Sequence, residues 1–335
     1  MGIYPDHLKT ATIAPIHWNG DETSIENYRL IALVSIIAKI AKETMLSKLI
    51  SFTASCNILT PFQNAYTQEK STTRAIYMAI TKITQAMSEK NLVVEVFIDL
   101  SKAFDSVDHK ILLEKLERMG FRGIVHTVPK SYLTSRMQFV LVNSNGERYQ
   151  SRWLQNQKGI SQGSILGTFL FTLYMNDLPE ITQHFISLYA DETSIIAKIQ
   201  NNDTLEGEVT DVLMKTNNWF SENNLKLNIQ KTNIIKFTFR NNDTISIRFK
   251  DQHITSTNNV NFLGVLLDTA LSWKDCKHVL TKKLAGMVYA LRTISSEVNV
   301  EAALVSSLPS ICRKTPWMLT GCSSFRNPPL EGFSI

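Results

Sequence analysis

The sequence predicts an α+β protein organised around an antiparallel β-sheet. Two observations favour this class. Segments with the periodicity of helices interleave with short apolar runs typical of strands, and their order lacks the alternating rhythm of parallel βαβ proteins. A third observation is the hydrophobic content of 44%, which is ordinary for a globular chain. At 335 residues the chain is too long for one compact core, so two or three lobes are expected.

The N-terminal third predicts two helices, a strand and a further helix. Apolar residues recur every three or four positions over 24–52 and again over 71–88, as in helices that bury one face. An apolar strand then ends at Asp99. Asp108 is the expected N-cap of the next helix, which Gly120 ends at its C′ position.

The remaining segments alternate hairpins and helices. Residues 137–154 predict a hairpin, because Asn145-Gly146 is a strong signal for a two-residue turn. Gly163-Ser164 opens an apolar helix that runs to about Asn176. The other predicted elements are a hairpin with an acidic tip within 186–196, a helix over 204–222, strands near 232–240, 245–250 and 260–267, and an amphipathic helix over 274–293.

Charge and cysteine content narrow the classes of function. The net charge of +5 fits a partner with a phosphate backbone, but many proteins with other partners are equally basic. The four cysteines form no C-x-x-C pair and have no histidine at zinc spacing, so we expect reduced thiols and an intracellular protein. No apolar run reaches the roughly 18 residues of a membrane span, so no membrane partner is expected.

Two carboxylates far apart in the sequence carry the strongest chemical signal. Asp99 ends the apolar strand, and Asp191 lies at the tip of the acidic hairpin. Rigid strands hold such groups in place, and hard divalent cations prefer oxygen ligands. The pair therefore predicts a two-metal phosphoryl-transfer site. The alternative is a hairpin aspartate that only caps its own turn.

Six short motifs lie in order along the chain. They are NYRLI at 27–31, FIDLSKAFD at 97–105, GISQGSILG at 159–167, YMNDLP at 174–179, YAD at 189–191 and FLGV at 262–265. In this order and spacing they resemble the reverse transcriptase domain of non-LTR (LINE-type, Jockey-like) retrotransposons, over about residues 8–294. The resemblance implies a right-hand polymerase fold. Its expected parts are fingers at 1–90, a palm with an interleaved fingers segment at 91–268, the start of a helical thumb at 269–304, and an atypical, aberrant tail at 305–335.

The resemblance implies an RNA-directed DNA polymerase that uses two Mg²⁺ or Mn²⁺ ions. The expected metal ligands are Asp99, Asp191 and the backbone carbonyl of Leu100. Lys231 matches a palm lysine that protonates or steadies the leaving pyrophosphate, although a surface lysine without a role is the alternative. Glu192 belongs to the catalytic hairpin but stands where the family has a second aspartate. Its extra methylene displaces the carboxylate, and a misplacement of about 1 Å can cost roughly a hundredfold in rate.

The resemblance also assigns the nucleotide contacts. Arg29 matches the fingers arginine that holds the triphosphate, and Lys9 is a second candidate, unless it is a solvated surface lysine. Phe104 is expected to exclude a ribose 2′-hydroxyl and so select dNTP; the alternative is a core phenylalanine. Tyr189, beside the catalytic aspartate, is assigned to the substrate site as well.

Two further segments complete the expected substrate contacts. Gln162 and Gly163 match the loop that lines the nucleotide and template, with an ordinary helix start as the alternative. Phe262, Leu263 and Gly264 match the primer grip, where a tight turn holds the primer terminus; a plain β-turn is the alternative.

The expected partners are an RNA template, a DNA primer and dNTP. Copying from a nicked-DNA primer implies a nuclear location, and the endonuclease of complete elements is expected to be missing from these 335 residues. A rival hypothesis is a degenerate, catalytically impaired palm that only binds nucleic acid. An RNA-dependent RNA polymerase or an intron maturase is a third possibility. Phe104 argues against the former, because an RNA polymerase must admit the 2′-hydroxyl.

Overall fold

The fold is described from a computed structural model. The structure describes residues 2–17, 20–67, 70–144, 146–160, 164–238 and 244–295. Several sequence predictions lie outside the described residues. They concern the turn residue Asn145, the substrate loop residues Gln162 and Gly163, the end of the thumb segment and the tail at 305–335.

Helices and strands alternate along the chain, which confirms the α+β prediction. The strands are β1 Thr10–His17, β2 Tyr28–Leu33, β3 Leu92–Ile98, β4 Arg136–Ser144, β5 Glu147–Gln150, β6 Leu154–Asn156, β7 Phe185–Tyr189, β8 Glu192–Ile199, β9 Asn233–Phe237, β10 Ser246–Phe249, β11 Gln252–Thr255, β12 Asn259–Phe262 and β13 Val265–Asp268. The helices are α1 Ile36–Ser55, α2 Thr72–Ser88, α3 Ala103–Ser106, α4 His109–Arg118, α5 Ile124–Leu133, α6 Ile165–Tyr174, α7 Leu205–Glu222 and α8 Lys274–Ser295.

The helix predicted over 24–52 is wrong in its first part. Residues Tyr28–Leu33 form β2, which pairs antiparallel with Thr12–His17 of β1 along its whole length. Helix α1 begins only after Ser35, whose hydroxyl accepts a hydrogen bond from the Ala38 N–H at 3.1 Å. The apolar periodicity that suggested a helix starts at Ile36, so the prediction extended a correct helix backwards into a strand.

The predicted start and end of helix α4 are confirmed. The Asp108 carboxylate caps α4 by accepting from the backbone N–H of Lys110 at 2.9 Å, and Gly120 follows this helix with φ +90°. The elements that the sequence analysis did not predict include β1, α3, α5, which contains Pro129, and β11. The strand predicted at 260–267 is instead a hairpin, because a tight turn separates β12 from β13.

The chain divides into two compact units. The first comprises 1–70, 97–195 and 209–232; the second comprises 71–96, 196–208 and the chain from 233 onward. The predicted boundaries of fingers, palm and thumb are not tested by this division and stay predictions.

The first unit contains a sheet with the strand order β2-β1-β4-β5, and β6 also pairs with β4. The pairings β1–β2, β4–β5 and β4–β6 are antiparallel, whereas β1 and β4 run parallel from Thr10 and Met137, which the sequence did not indicate. The hairpin predicted at 137–154 is confirmed by the antiparallel pairing of β4 with β5. Side chains of β1 alternate, with Ala11 and Ile13 buried, so one face of this sheet covers the core.

The second sheet has the strand order β7-β8-β3-β9. Strand β3 is buried along most of its length, which explains its unbroken apolar sequence. The ends of β3 and β8 nearest Asp99 and Asp191 both belong to the first unit.

The second unit contains two further hairpins, β10-β11 and β12-β13, and helix α8 packs against β13. Helix α2 lies within the predicted range 71–88 and has Ser71 as its N-cap. It buries Ile76 and Ile83, as the sequence pattern indicates. Within the described ranges, no helix combines the length and apolar character that crossing a bilayer requires.

Candidate active site

Asp99 directly follows the buried strand β3 and is itself half-buried. A short antiparallel ladder fixes its backbone: the Asp99 carbonyl accepts from the Asn228 N–H at 2.9 Å, and the Ser101 N–H donates to the Lys226 carbonyl at 2.9 Å. Leu100 and Leu227 form a β-bridge between these two bonds. The segment after α7 is thus held directly beside the predicted carboxylate.

The same segment turns sharply and brings Lys231 towards Asp99. The Asn228 carbonyl accepts from the backbone N–H of Lys231 at 3.2 Å and of Thr232 at 3.0 Å. The Asn228 side chain also donates a hydrogen bond to the Asp99 carboxylate. Asn228 therefore links the predicted catalytic lysine to the predicted metal ligand, a role that sequence reasoning missed.

Asp191 lies in a two-residue turn between β7 and β8. The preceding residue, Ala190, has φ +55°, a left-handed conformation that tight hairpin turns use. The acidic hairpin predicted from the sequence is confirmed. Asp191 and Glu192 both expose surface to solvent, but the Asp191 carboxylate is partly desolvated by the protein atoms around it. Glu192 is the first residue of β8.

The charged groups of this site change the pKa values of the two aspartates. Desolvation raises the pKa of Asp99, with the charge of Asp191 adding to the rise and Lys231 and Asn228 opposing it. Desolvation also raises the pKa of Asp191, against the opposing effects of its own backbone N–H and of Arg29. The structure therefore brings together Asp99, Asp191, Lys231 and Arg29, four of the predicted site residues.

The donor atoms of this site fit a hard divalent cation. Two carboxylates and the nearby Leu100 carbonyl are oxygen ligands of the kind that Mg²⁺ prefers. The raised pKa values indicate negative charge that a cation would neutralise. In the described part of the chain, no three His, Cys, Asp or Glu side chains cluster as a metal site, so remaining ligands would come from backbone, substrate and water.

The two predicted triphosphate ligands differ in their surroundings. Arg29 is exposed on β2, on the strand face that also carries Ile31 and Leu33, and its charge acts on Asp191. Lys9 is buried, with 6% exposure, and its Nζ forms an ion pair with the Asp6 carboxylate at 2.8 Å. Lys9 is therefore not a solvated surface lysine, and its role as a phosphate ligand stays a prediction.

Phe104 is half-buried at the start of α3, where its ring packs against Phe171 at a centroid distance of 5.0 Å. Its carbonyl accepts from the Ile160 N–H at 2.8 Å, and the Val107 carbonyl accepts from the Gly159 N–H at 2.7 Å. The motif that leads into the substrate loop is thus fastened to the segment that carries Phe104.

Gly159 can only be glycine at this contact. It has φ +79°, and a Cβ atom would lie 2.9 Å from the Asp105 carbonyl oxygen. The Gly159 carbonyl lies 2.7 Å from His109 Nε2, and burial lowers the pKa of His109, so the neutral ring can donate this hydrogen bond. Neither role was predicted, although Gly159 opens one of the six motifs.

Tyr189 is half-buried at the end of β7. Desolvation raises its pKa, with further contributions from Tyr66 and Glu192. Tyr66, a non-glycine residue with φ +56°, therefore lies near the β7–β8 hairpin. The loop before Tyr66 also pairs with β7: the Leu188 carbonyl accepts from the Asn64 N–H at 2.9 Å. The sequence gave no signal for this support.

The predicted primer grip forms the tight turn between β12 and β13. Phe262 pairs with Val265, and the two central residues, Leu263 and Gly264, have φ +49° and +84°. Positive φ at both positions is typical of a type I′ hairpin turn. These residues belong to the second unit, and their contact with a primer stays a prediction.

Comparisons with known proteins match most of the chain. The family model described as "Reverse transcriptase (RNA-dependent DNA polymerase)" matches residues 19–267. The RNA-directed DNA polymerase from mobile element jockey of Drosophila melanogaster is 26% identical over 324 residues, covering 91% of this chain and 35% of that protein. The probable RNA-directed DNA polymerase from transposon BS of the same species is 27% identical, covering 86% and 33%. The chain spans about a third of the length of these relatives.

Solved structures support the fold. Telomerase from Candida tropicalis, in complex with a fragment of telomeric RNA, matches with a TM-score of 0.54 and 11% identity, over 92% of this chain and 55% of that one. Its apo form, truncated of the C-terminal domain, matches with a TM-score of 0.51. At this level of identity the likeness concerns the fold alone, and it confirms the predicted right-hand polymerase architecture.

Proposed function

The chain belongs to the reverse transcriptase (RNA-dependent DNA polymerase) family, and from this premise we propose that it is the polymerase domain of a non-LTR retrotransposon protein. Its proposed reaction is the transfer of a nucleotide from dNTP to a primer 3′-hydroxyl on an RNA template. The observation that carries the proposal is the coupling of Asp99, which follows β3, with Asp191, in the β7–β8 turn.

The proposed roles follow from the positions of the charged groups. Asp99, Asp191 and the Leu100 carbonyl would hold two divalent ions. When bound, such ions supply activation of the primer hydroxyl and charge neutralisation at the leaving pyrophosphate. Arg29 would orient the triphosphate with its forked guanidinium. Lys231 would donate a proton or a hydrogen bond to the pyrophosphate, and Asn228 would hold the Asp99 carboxylate in position.

Phe104 would decide which sugar is accepted. Its ring lies half-buried on the buried Phe171, so the part that remains exposed can pack under a deoxyribose. A ribose 2′-hydroxyl would then meet an apolar ring with no hydrogen-bond partner, which is unfavourable. Tyr189 and, in the primer hairpin, Phe262, Leu263 and Gly264 complete the proposed substrate contacts.

The proposed partners are an RNA template and a DNA primer. Backbone-driven binding of this kind agrees with the net charge of +5. Because copying would start from nicked chromosomal DNA, the proposed place of action is the nucleus.

The test is primer extension on an RNA template with dNTP and Mg²⁺ or Mn²⁺. The expected result is extension by the chain as given and its loss in Asp99→Ala and Asp191→Ala, with template–primer binding retained. Residual extension in either variant would contradict the assignment of these two aspartates. Binding of template–primer, measured by fluorescence anisotropy, shows whether a variant that no longer extends the primer is still folded.

One observation favours a second candidate function. Glu192 stands in the catalytic hairpin where the family has aspartate, and it is exposed at the start of β8. A chain impaired in this way would still bind RNA or DNA through its positive charges. If the chain as given binds RNA or DNA in a salt-dependent way but extends no primer, this second function is favoured.

A further inference from the structure

Four polar side chains of the first unit are buried next to one another. They are Tyr4 near the N-terminus, Lys42 in α1, Tyr132 in α5 and Arg136 at the start of β4, and each is at most 5% exposed. We call these four residues the Lys42 cluster. Lysine and arginine are almost never buried to this extent unless a partner of opposite charge accompanies them.

The ring of Tyr132 is the centre of the Lys42 cluster. The Tyr4 ring packs edge-on against it, with 5.1 Å between the two ring centroids. Lys42 Nζ lies 5.9 Å from the Tyr132 centroid, and the guanidinium carbon of Arg136 lies 4.6 Å from it. Two cations and two phenols are therefore gathered around one point in the interior of the unit.

Three hydrogen-bonding groups of the cluster are unused. Lys42 Nζ and the hydroxyls of Tyr4 and Tyr132 are closed to solvent and have no hydrogen-bond partner among the residues that the structure describes. Desolvation and then Tyr132 raise the pKa of Tyr4 against the opposing charge of Arg136, so this hydroxyl keeps its proton. Since an ammonium can only donate and a phenol can donate as well, the cluster needs an acceptor.

The positive charge of the cluster is not balanced by a carboxylate. Within the described ranges, Lys42 takes part in no ion pair. Burial first, then the charges of Arg136 and Lys39, lowers the pKa of Lys42 to about 8, and no acidic residue of the described chain opposes this effect. At neutral pH the ammonium is thus mostly charged, and the Tyr132 ring attracts it without neutralising it. Two unbalanced charges away from water are unfavourable unless an anion accompanies them.

The burial of these groups restricts the size of the missing acceptor. A water molecule would complete the hydrogen bonds but leave the charge unbalanced. A phosphate attached to a nucleic-acid chain is too large, because Lys42 Nζ and both hydroxyls are closed to solvent. A halide ion meets both conditions, since it is monatomic and accepts hydrogen bonds from several directions.

We propose that the Lys42 cluster binds one halide-class anion, for which chloride is the probe, between the Lys42 ammonium, the Arg136 guanidinium and the hydroxyls of Tyr4 and Tyr132. The anion accepts hydrogen bonds from these groups and neutralises their charge. It thereby joins α1 to α5, to β4 and to the N-terminal segment, and it stabilises the folded first unit. The inference is independent of the proposed function, and no nucleic acid takes part in it.

The first experiment measures thermal unfolding of the full chain in sodium chloride and in sodium gluconate, without divalent metal. Gluconate is too large for a closed site, and equal ionic strength keeps general screening the same in both salts. For a site half-filled at about 10 mM, the Tm should rise by about 2–4 °C at about 150 mM chloride and approach a plateau. Equal Tm values in the two salts would overturn the proposal.

Two lysine variants on the same helix locate the chloride response. Lys42→Met keeps the apolar stem and removes the charge, so the response should be lost, and the Tm in gluconate should exceed that of the parent. Lys48→Met is the matched control, because Lys48 is exposed on α1, and it should keep the full response. A full response in Lys42→Met, or a lower Tm than the parent in gluconate, would overturn the proposal.

The variant Lys42→Glu supplies the negative charge from the chain itself. Its carboxylate would lie beside the Arg136 guanidinium, with the two phenols as further donors. The Tm in gluconate should therefore exceed that of the parent, and chloride should no longer change it. A chloride response equal to that of the parent would overturn the proposal.

Bromide, a heavier halide, permits direct detection. Crystals of the parent soaked in sodium bromide should show an anomalous peak within hydrogen-bond distance of Lys42 Nζ, and crystals of Lys42→Met should show none there. Peaks at exposed lysines alone would be an adventitious ion only and would overturn the proposal. A larger rise in Tm with inorganic phosphate than with chloride would overturn the assignment to a halide.

Discussion

At the scale of single residues, the two predicted metal ligands, Asp99 and Asp191, are ionised in the folded protein at a cost in stability. Desolvation raises the pKa of both carboxyls, and Asp191 raises that of Asp99 further. The folded protein therefore holds protons on these groups more tightly than the unfolded chain. Their contribution to stability is present at low pH and declines as pH rises from the unfolded towards the folded pKa values.

The variant Asp191→Asn tests whether the ionised carboxylate of this residue destabilises the folded protein. Because it removes a charge that the fold disfavours, we expect the metal-free variant to unfold at a higher temperature than the parent at pH 7, by about 1–2 °C. The difference should shrink near pH 3, where both aspartates are protonated. Adding Mg²⁺ should raise the Tm of the parent more than that of the variant. A lower Tm at pH 7 for the variant would contradict the electrostatic argument.

The variant Glu192→Asp tests the departure at the hairpin tip. Shortening the side chain by one methylene should move the carboxylate into place and raise the rate of primer extension, by up to about a hundredfold. Asp191→Ala supplies the background rate. An unchanged rate would mean that the site already accommodates glutamate.

The variant Phe104→Val tests sugar selection. The smaller side chain should admit ribonucleotides, so the ratio of dNTP to NTP incorporation should fall by about 10-fold or more. Competition between the two nucleotides in single-turnover extension measures this ratio. Unchanged selectivity in a folded variant would return Phe104 to a packing role against Phe171.

The site residues that could be predicted from the sequence each lie in a distinctive local sequence context. Asp99 and Asp191 follow from apolar strands that end in a carboxylate. Asn228 and His109 could not be found in this way, because their partners, Asp99 and Gly159, are far away in the sequence. Burial of Lys9 was equally hidden, since it depends on its pairing with Asp6 and on the surrounding fold.

At the scale of elements, Gly159–Ile160, which precede the predicted substrate loop in the sequence, are attached to the Phe104–Val107 segment. Two backbone hydrogen bonds and the close approach of Gly159 to Asp105 hold it. Only a residue without Cβ can combine this approach with positive φ.

The variant Gly159→Ala should therefore lower the free energy of unfolding by about 1–3 kcal/mol, and extension with it. Gly207→Ala is the matched control, because Gly207 lies in α7 with open space around its Cα and ordinary φ. At position 207, alanine should raise the free energy of unfolding by about 0.5–1 kcal/mol. Denaturant unfolding measures both, and equal effects at the two sites would contradict the steric argument.

Elements were predictable where a local signal marked their ends. The predicted cap Asp108 marks the start of α4 correctly, and the apolar repeat over 71–88 locates α2. The strand Tyr28–Leu33 was not predicted, because its conformation depends on pairing with β1, which lies elsewhere in the sequence. The helical pattern that begins at Ile36 was also extended backwards into it. The apolar pattern merged β12 and β13 into a single predicted strand, although the resemblance to the primer grip implied a tight turn at Leu263–Gly264.

At the scale of the whole molecule, positive charge is the property that concerns binding. A net charge of +5 implies that affinity for template–primer falls as salt rises, in the chain as given and in Asp191→Ala alike. Anisotropy titrations between low and physiological salt measure the two slopes. A binding constant insensitive to salt would contradict a backbone-driven contact.

The pairing of residues 62–64 with β7 has a consequence beyond catalysis. β7 is the first strand in its sheet order, and on its outer edge both backbone groups of Leu188 are paired: the N–H with the Phe62 carbonyl and the carbonyl with the Asn64 N–H. An open strand border can recruit the same strand from another molecule and begin self-association. Because Leu188 is already paired, we expect the apolar segment Phe185–Tyr189 to recruit a second copy less readily during storage at high concentration.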